Sequence, residues 1–540
     1  MVVSSSQLAS EAGIEIFRQG GNAVDAAVAV AYALAVTYPQ AGNIGGGGFM
    51  LIRLSDGTVT AIDYRETAPL KATVDMYLDR KGEIIPDASL RGAKSAGVPG
   101  TVAGLSLALS QHGTMDLKTV LQPAINLARN GFSVSLGIIR DFQGLKDDFK
   151  KYPATAKIFW KQGIPYQLGD TLRQPDLAYT LEQIAAAGSD AFYRGPISDL
   201  IIKAMQRDGG LITRKDLAQY SPVIRQPLIS TYRNYTIYTM PPPTSGGIIL
   251  LGLLKALESD NLTELGHNSS SFIHLFSEIS NCYFADRAFF MGDPDFVNVP
   301  VAGLISPEYA QNIRLSINTE HHTPGQEIFH GDSVWLAQYG AMLPESDETT
   351  HFSVVDRWGN AVSNTYTLND SYGSYYVIEG AGFLMNNEMD DFSIKTGVPN
   401  MYGLVGGKAN AIVPRKRMLS SMTPTIITKN GNLFLVLGSP GGSKIITSVC
   451  QVILNVIDHK MNIQDAVIAP RIHSQWLPDE VVIEPLGISH DVVKNLSSMG
   501  HIIRKGSFMG EVQAIQVDTE HGIVFGAIDL RHGNSAVSSY

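Results

Sequence analysis

The sequence predicts a layered α/β fold in which helices pack on stacked antiparallel sheets. Three observations carry that prediction. The chain opens with two helical patterns and a β-hairpin, runs through a long helical middle, and closes with alternating strand patterns and apolar helix after an irregular stretch over 320–348. Its 540 residues, 44% hydrophobic and 17% charged, have the composition of a globular chain and the length to bury a large core.

The first helix is predicted over 7–19, ending at Gly20-Gly21, where glycine takes the left-handed conformation of a helix stop. Asn22 is placed to cap the second, whose run from Ala26 to Val36 reads as a buried helix, and Thr37-Tyr38-Pro39 ends it. A glycine run, Gly42-Asn43-Ile44-Gly45-Gly46-Gly47-Gly48, leads into strands at 49–54 and 58–64 around the turn Ser55-Asp56-Gly57. Helical patterns dominate 100–257 and again 270–317, broken near 161–169 and at Met240-Pro241-Pro242-Pro243. Residues 320–348 are polar, rich in turn formers and without periodicity, which predicts an exposed linker. Strands follow at 350–356 and 361–368 about the turn Arg357-Trp358-Gly359-Asn360. A further strand at 433–437 feeds Gly438-Ser439-Pro440-Gly441-Gly442-Ser443 and an apolar helix, Lys444–Ile457. Two more strands are predicted around Val481–Ile483 and 512–517.

Charge and apolar patterning exclude several function classes. The net charge of -10 and the lack of a dense Lys/Arg run argue against a nucleic-acid partner, and Pro414-Arg415-Lys416-Arg417 reads as a solvated loop. No uncharged apolar run approaches the ~18 residues of a membrane span. The N-terminal stretch MVVSSSQLASEAG lacks the basic and apolar regions of a secretory signal, which leaves a cytoplasmic protein or a sequence starting after an export segment. Cys282 and Cys450 sit in apolar surroundings and read as buried small hydrophobes.

None of the glycine loops has the context of a dinucleotide or P-loop site. Gly438–Lys444 follows a strand and opens a helix, however, so its free N–H groups suit a developing oxyanion. No H-E-x-x-H or Cys/His ligand spacing points to a metal; His321-His322 reads as an exposed pair in the linker, and His351 as a packed strand histidine without a catalytic role. No G-x-S-x-G elbow is present. Thr349, inside a chain, is an ordinary strand residue of good β propensity. As a new chain terminus it would carry an α-amino base of pKa near ~8 beside its own hydroxyl, combining base and nucleophile in one residue. The irregular segment ending at Glu348 is where such a cut is sterically feasible.

The residues Glu348-Thr349-Thr350-His351-Phe352-Ser353-Val354-Val355-Asp356, with Gly359-Asn360-Ala361-Val362 and Thr365-Tyr366-Thr367-Leu368-Asn369, resemble the processing site of the gamma-glutamyltransferase (gamma-glutamyltranspeptidase) family. The likeness extends through Gly20-Gly21-Asn22-Ala23-Val24-Asp25, Gly97-Val98-Pro99-Gly100-Thr101, Met240-Pro241-Pro242-Pro243-Thr244-Ser245-Gly246-Gly247, Gly292-Asp293-Pro294-Asp295-Phe296, Asn386-Asn387-Glu388-Met389-Asp390-Asp391-Phe392 and Ala469-Pro470-Arg471, over nearly the whole chain.

The resemblance implies an N-terminal-nucleophile hydrolase, an αββα sandwich that cuts its own precursor between Glu348 and Thr349 into a large subunit, 1–348, and a small subunit, 349–540, which pair as a heterodimer. It implies Thr349 as nucleophile, Thr367 as supporting hydroxyl, and Gly441 and Gly442 as oxyanion donors. A gamma-glutamyl donor carries an α-carboxylate and an α-ammonium, which call for opposite charges in the site. By resemblance Arg65, Ser420 and Ser421 take the carboxylate, and Asn369, Glu388 and Asp391 the ammonium. Residues 401–422 resemble the family's lid loop, with Tyr402 excluding water and favouring amine acceptors. The implied reaction transfers a gamma-glutamyl group, from glutathione and related donors, to water or to amino acid and peptide amines; it needs no cofactor or metal. The implied compartment is the periplasm or outside the cell. The alternative within the fold is a cephalosporin or glutaryl acylase, whose substrate would not need an ammonium-binding acid.

Overall fold

The computed structural model describes residues 1–328, 349–531, 533 and 535–540. Thirteen of its strands form two antiparallel sheets: β1 (Val2–Ser4), β2 (Gly47–Arg53), β3 (Val59–Asp63), β4 (Val223–Arg225), β5 (Leu228–Tyr232), β6 (Tyr235–Thr239), β7 (Thr350–Val355), β8 (Ala361–Thr367), β9 (Thr425–Lys429), β10 (Asn432–Gly438), β11 (Gln513–Asp518), β12 (Ile523–Ala527) and β13 (Ala536–Ser538). The first sheet runs β13-β1-β7-β8-β2-β3-β4 and the second β12-β11-β10-β9-β6-β5. They stack face to face, β7 and β8 lying against β10 and β11.

Period-2 alternation decides which face each side chain serves. In β2, Met50 and Ile52 join the apolar cluster under helices Gln7–Arg18 and Ala23–Thr37, whereas Phe49 and Leu51 join the cluster facing the second sheet. That second cluster also takes up helices Gly246–Leu257, Ser270–Phe290 and Lys444–Ile457 on the far side, completing a helix–sheet–sheet–helix stack. Every residue of Ala23–Thr37 is buried, as its all-round apolar run predicts. Asn22 caps it in a full capping box, accepting from the Val24 and Asp25 amides while Asp25 accepts from the Asn22 amide.

Several elements differ from the sequence-based reading. Residues 223–239 are three strands, not helix; β5 and β6 form the edge of the second sheet, where half-exposed alternation is weak and lies within helical sequence. The strands β1 and β9 were not predicted either. Three residues are too few for a periodic signal, and β1 is held by pairing on both sides, with β7 and β13. In the basic stretch only Arg415 is exposed, for Lys416 and Arg417 are buried. The Lys416 ammonium donates to the Ala409 and Ala411 carbonyls, and Arg417 reaches Asp63 and Asp295.

Of the predicted linker, residues 320–328 fall within the described residues, and 329–348, including Glu348, lie outside them. His321 is exposed, but His322 is not half of a solvated pair. It bridges Glu278 at 2.7 Å and Asp479 at 2.9 Å and packs on the His501 ring. Burial alone would lower its pKa; hydrogen bonds to Asp479 and Glu278 override that and raise it to about 9. Cys450 is buried and Cys282 half-buried, both as free thiols. No helix among the described residues is long and apolar enough to cross a membrane.

Candidate active site

The β7–β8 hairpin positions the central pair. Its register sets Thr350 opposite Tyr366 and His351 opposite Thr365. One further step along that ladder brings Thr349 opposite Thr367, and the Thr349 hydroxyl donates to the Thr367 hydroxyl at 3.2 Å. Both side chains are buried on the face between the sheets. Thr367 Oγ also accepts from the Asn369 amide at 2.8 Å, which ties the hydroxyl to the chain beyond it. Glycine is required alongside: a Cβ at Gly46 would fall 2.0 Å from the Thr367 carbonyl oxygen.

His351 does not serve this pair. Its two ring nitrogens bond Thr365 at 2.8 Å and Ser353 at 3.1 Å, and its ring fills the space a Cβ at Gly438 would need. Burial lowers its pKa to about 3, so it is a neutral core residue.

The end of β10 delivers the glycine turn to the same place. Gly441 and Gly442 have φ of +127° and +54°, conformations that an L side chain strains to adopt. Among the described residues, neither N–H has a hydrogen-bond acceptor. The Tyr402 ring lies over Gly442, 2.4 Å from where a Cβ would stand. Its hydroxyl donates to the Asn369 carbonyl at 2.5 Å. Asn400 shapes this segment by accepting from the Tyr402 and Leu404 amides. The cavity beside this segment measures only about 20 Å³. Thr349, Thr367, Asn369, Arg65, Asp391, Ser420, Ser421, Tyr402 and Gly442 line it, so one small space gathers most of the residues singled out by sequence. Two crevices of about 580 and 600 Å³ lie elsewhere on the surface and share none of these residues.

Two predicted residues sit differently. Glu388 does not line the cavity; it is fully buried behind Arg65, 2.7 Å from its guanidinium. That position pairs the carboxylate with the arginine. Gly441 also lies just outside the lining. Arg65 is tied further to Asp391 at 2.5 Å and the Met418 carbonyl at 3.3 Å, with Glu66 at 3.6 Å. Burial outweighs Arg65 and pushes the Glu66 and Glu388 carboxyls well above the usual range.

Three supporting residues were not legible beforehand. Ser245, from the proline motif, holds the Ser420 carbonyl through both its amide and its hydroxyl, each at 2.8 Å. Asn386 accepts from the Gly97 and Glu388 amides and donates to the Gly45 and Gly97 carbonyls, joining three motifs distant in sequence. Arg287 lines the cavity and donates from Nε to Ser245 Oγ at 3.0 Å. Burial lowers its pKa to about 10, with Asp391 opposing. A charge near the end of the mostly buried helix Ser270–Phe290 was the available signal.

A family model described as gamma-glutamyltranspeptidase matches residues 9–539. The chain belongs to the gamma-glutamyltranspeptidase family. It is an enzyme of this family, 48% identical over 548 residues to the glutathione hydrolase proenzyme of Escherichia coli (strain K12), covering 100% of this chain and 92% of that proenzyme. Among solved structures it is similar to the cephalosporin acylase from Bacillus halodurans, with TM-score 0.86 and 27% identity over 100% of this chain and 95% of that one. The Helicobacter pylori gamma-glutamyltranspeptidase matches with TM-score 0.58 and 44% identity, over 61% of this chain and 96% of that chain. The sandwich is accordingly that of the N-terminal-nucleophile hydrolases. Within this family member, one cavity holds both the hydroxyl pair and the ionic groups of Arg65, Arg287 and Asp391.

Proposed function

We propose that the chain is a self-cleaving threonine acyltransferase and hydrolase of gamma-glutamyl amides, glutathione among them. The single observation that carries this reading is the Thr349–Thr367 hydroxyl pair on the same cavity as Arg65 and Asp391. Cleavage between Glu348 and Thr349 yields a large subunit, 1–348, and a small subunit, 349–540, and frees the threonine amine. That amine, with a pKa near ~8, takes the Thr349 hydroxyl proton as Oγ attacks the gamma-carbonyl. Thr367 orients the hydroxyl, and the N–H groups of Gly441 and Gly442 receive the oxyanion. Collapse expels the amine, cysteinylglycine from glutathione, and leaves a gamma-glutamyl ester on Thr349. Water or an amino acid or peptide amine then resolves the ester.

At the far end of the donor, Ser420, Ser421 and Arg65 meet the α-carboxylate, and Asn369 and Asp391 the ammonium. Glu388, behind Arg65, holds that guanidinium and completes the anionic end that takes the ammonium. Tyr402 covers the ester and limits water. The chain acts in the periplasm or outside the cell, which fractionation of the native cells tests.

The acylase reading rests on the Bacillus halodurans likeness. The acidic groups around Arg65 weigh against it, because a glutaryl donor has no cation to offer them. The test compares a gamma-glutamyl anilide with a glutaryl anilide. A preference of about 100-fold for the first is expected from one charge-assisted contact; equal or reversed preference would overturn the gamma-glutamyl assignment.

A further inference from the structure

Arg65 is heavily committed before any substrate arrives. One terminal nitrogen faces Glu388, the other Asp391, and Nε donates to the Met418 carbonyl. A donor carboxylate reaching Arg65 must share it with the carboxyls of Glu388 and Asp391. Arg287, on the same cavity, is in the opposite position. Its Nε is held by Ser245, and neither terminal nitrogen has a hydrogen-bond partner or a carboxylate within 4.0 Å among the described residues. Those two nitrogens form the fork that grips a carboxylate through two parallel bonds. The Ser421 hydroxyl, on the same cavity, is buried and also without a partner. A buried hydroxyl left unpaired carries a desolvation cost that an anionic ligand would remove.

The path from Arg287 to the serine pair is short. Ser245 Oγ accepts from Arg287 Nε and donates to the Ser420 carbonyl, so one hydroxyl sets both the guanidinium and the serine loop. Arg65 and Arg287 are also close enough for each positive charge to disfavour the other, a repulsion that an anion between them relieves.

We propose that Arg287 is a specificity-determining residue for the donor, gripping its α-carboxylate together with the Ser421 hydroxyl. The inference rests on the gamma-glutamyl reading and refines it: Arg65 anchors the acids that receive the ammonium and shares the carboxylate, whereas Arg287 supplies the uncommitted fork.

Three anilide donors separate the roles. The gamma-glutamyl anilide carries both end groups, the glutaryl anilide only the carboxylate, and the 4-aminobutyryl anilide only the ammonium. In Arg287→Met, kcat/KM should fall about 100-fold for the gamma-glutamyl and glutaryl donors and stay within about 3-fold for 4-aminobutyryl. Rates are taken per cleaved small subunit, counted on a denaturing gel. Should Arg287→Met fail to fold or cleave, Arg287→Lys is measured on the same donors, with about a 10-fold loss confined to the two carboxylates because the fork is gone. Equal losses on all three donors in the variant that cleaves would make Arg287 merely structural, and no loss would make it idle; either result overturns the proposal. The parent reading fails separately. A wild type that turns over glutaryl and gamma-glutamyl anilides equally would refute it, while the carboxylate claim would still be decided on the glutaryl donor.

Discussion

The two ends of the cavity are built from opposite materials. At the nucleophile end stand hydroxyls and glycine amides, with Thr349 paired to Thr367 and the imidazole of His351 neutral and bonded on both sides. At the recognition end, Arg65, Glu66, Glu388 and Asp391 crowd together, nearly all of it buried. The contrast teaches where each kind of chemistry comes from. In the proposed reading charge serves to choose the substrate, where burial makes an ion pair selective. In the proposed mechanism the base of the reacting end is the threonine's own amine, made from the backbone by cutting it.

The largest effect should come from the neutral end. Thr349→Ala should lower turnover of a gamma-glutamyl anilide by about 10³-fold or more and leave the chain as one 58.4 kDa band. A variant that kept its rate would erase the distinction between the two ends. Next comes the charged end, where Asp391→Asn should raise KM for the gamma-glutamyl anilide by about 10- to 100-fold. The same change should leave the glutaryl anilide nearly untouched, since that donor has no ammonium, and a uniform loss would mean that Asp391 only supports the fold.

Tyr402 sits where the two ends meet, its ring on Gly442 and its hydroxyl on Asn369. Tyr402→Ala should reduce the ratio of transfer to hydrolysis by about 3- to 10-fold, measured with an amino acid acceptor present and absent. An unchanged ratio would remove the lid from the mechanism.

How much of this was legible beforehand follows from what each residue signals locally. The hairpin 350–367, the helix Lys444–Ile457 and the buried helix Ala23–Thr37 announce themselves by period, turn and cap. Thr349, Thr367, Arg65, Asp391 and the serine pair were legible through family motifs, and the fold brings them onto one cavity. What escaped were relations between distant segments. Glu388 carries the same motif whether it lines a cavity or stands behind Arg65; only the packing decides. Ser245 and Asn386 act through backbone groups of other motifs, which no spacing within their own segments reveals. His322 looked exposed because its neighbours in sequence are polar, whereas its partners, Glu278 and Asp479, are 44 and about 157 residues away.

The smallest expected effect lies outside the cavity, at that histidine, and contrasts a charge held for stability with charges held for recognition. The folded pKa of His322 is raised, to about 9, so its contribution is fully present below the unfolded value near ~6.5 and is lost as pH climbs through 9. Asp479→Asn should lower stability by about 1–2 kcal/mol near neutral pH. It should also flatten the fall between pH 7 and 10, read from denaturant melts against wild type, while anilide turnover at pH 7 stays the same. A variant whose pH profile parallels that of wild type would show that the bridge contributes nothing.

The most direct test of the central claim is the mass of the chains in purified, active enzyme, with N-terminal sequencing of the smaller. The account predicts two chains, the smaller beginning at Thr349. Full activity in a single uncut chain of 540 residues would contradict it.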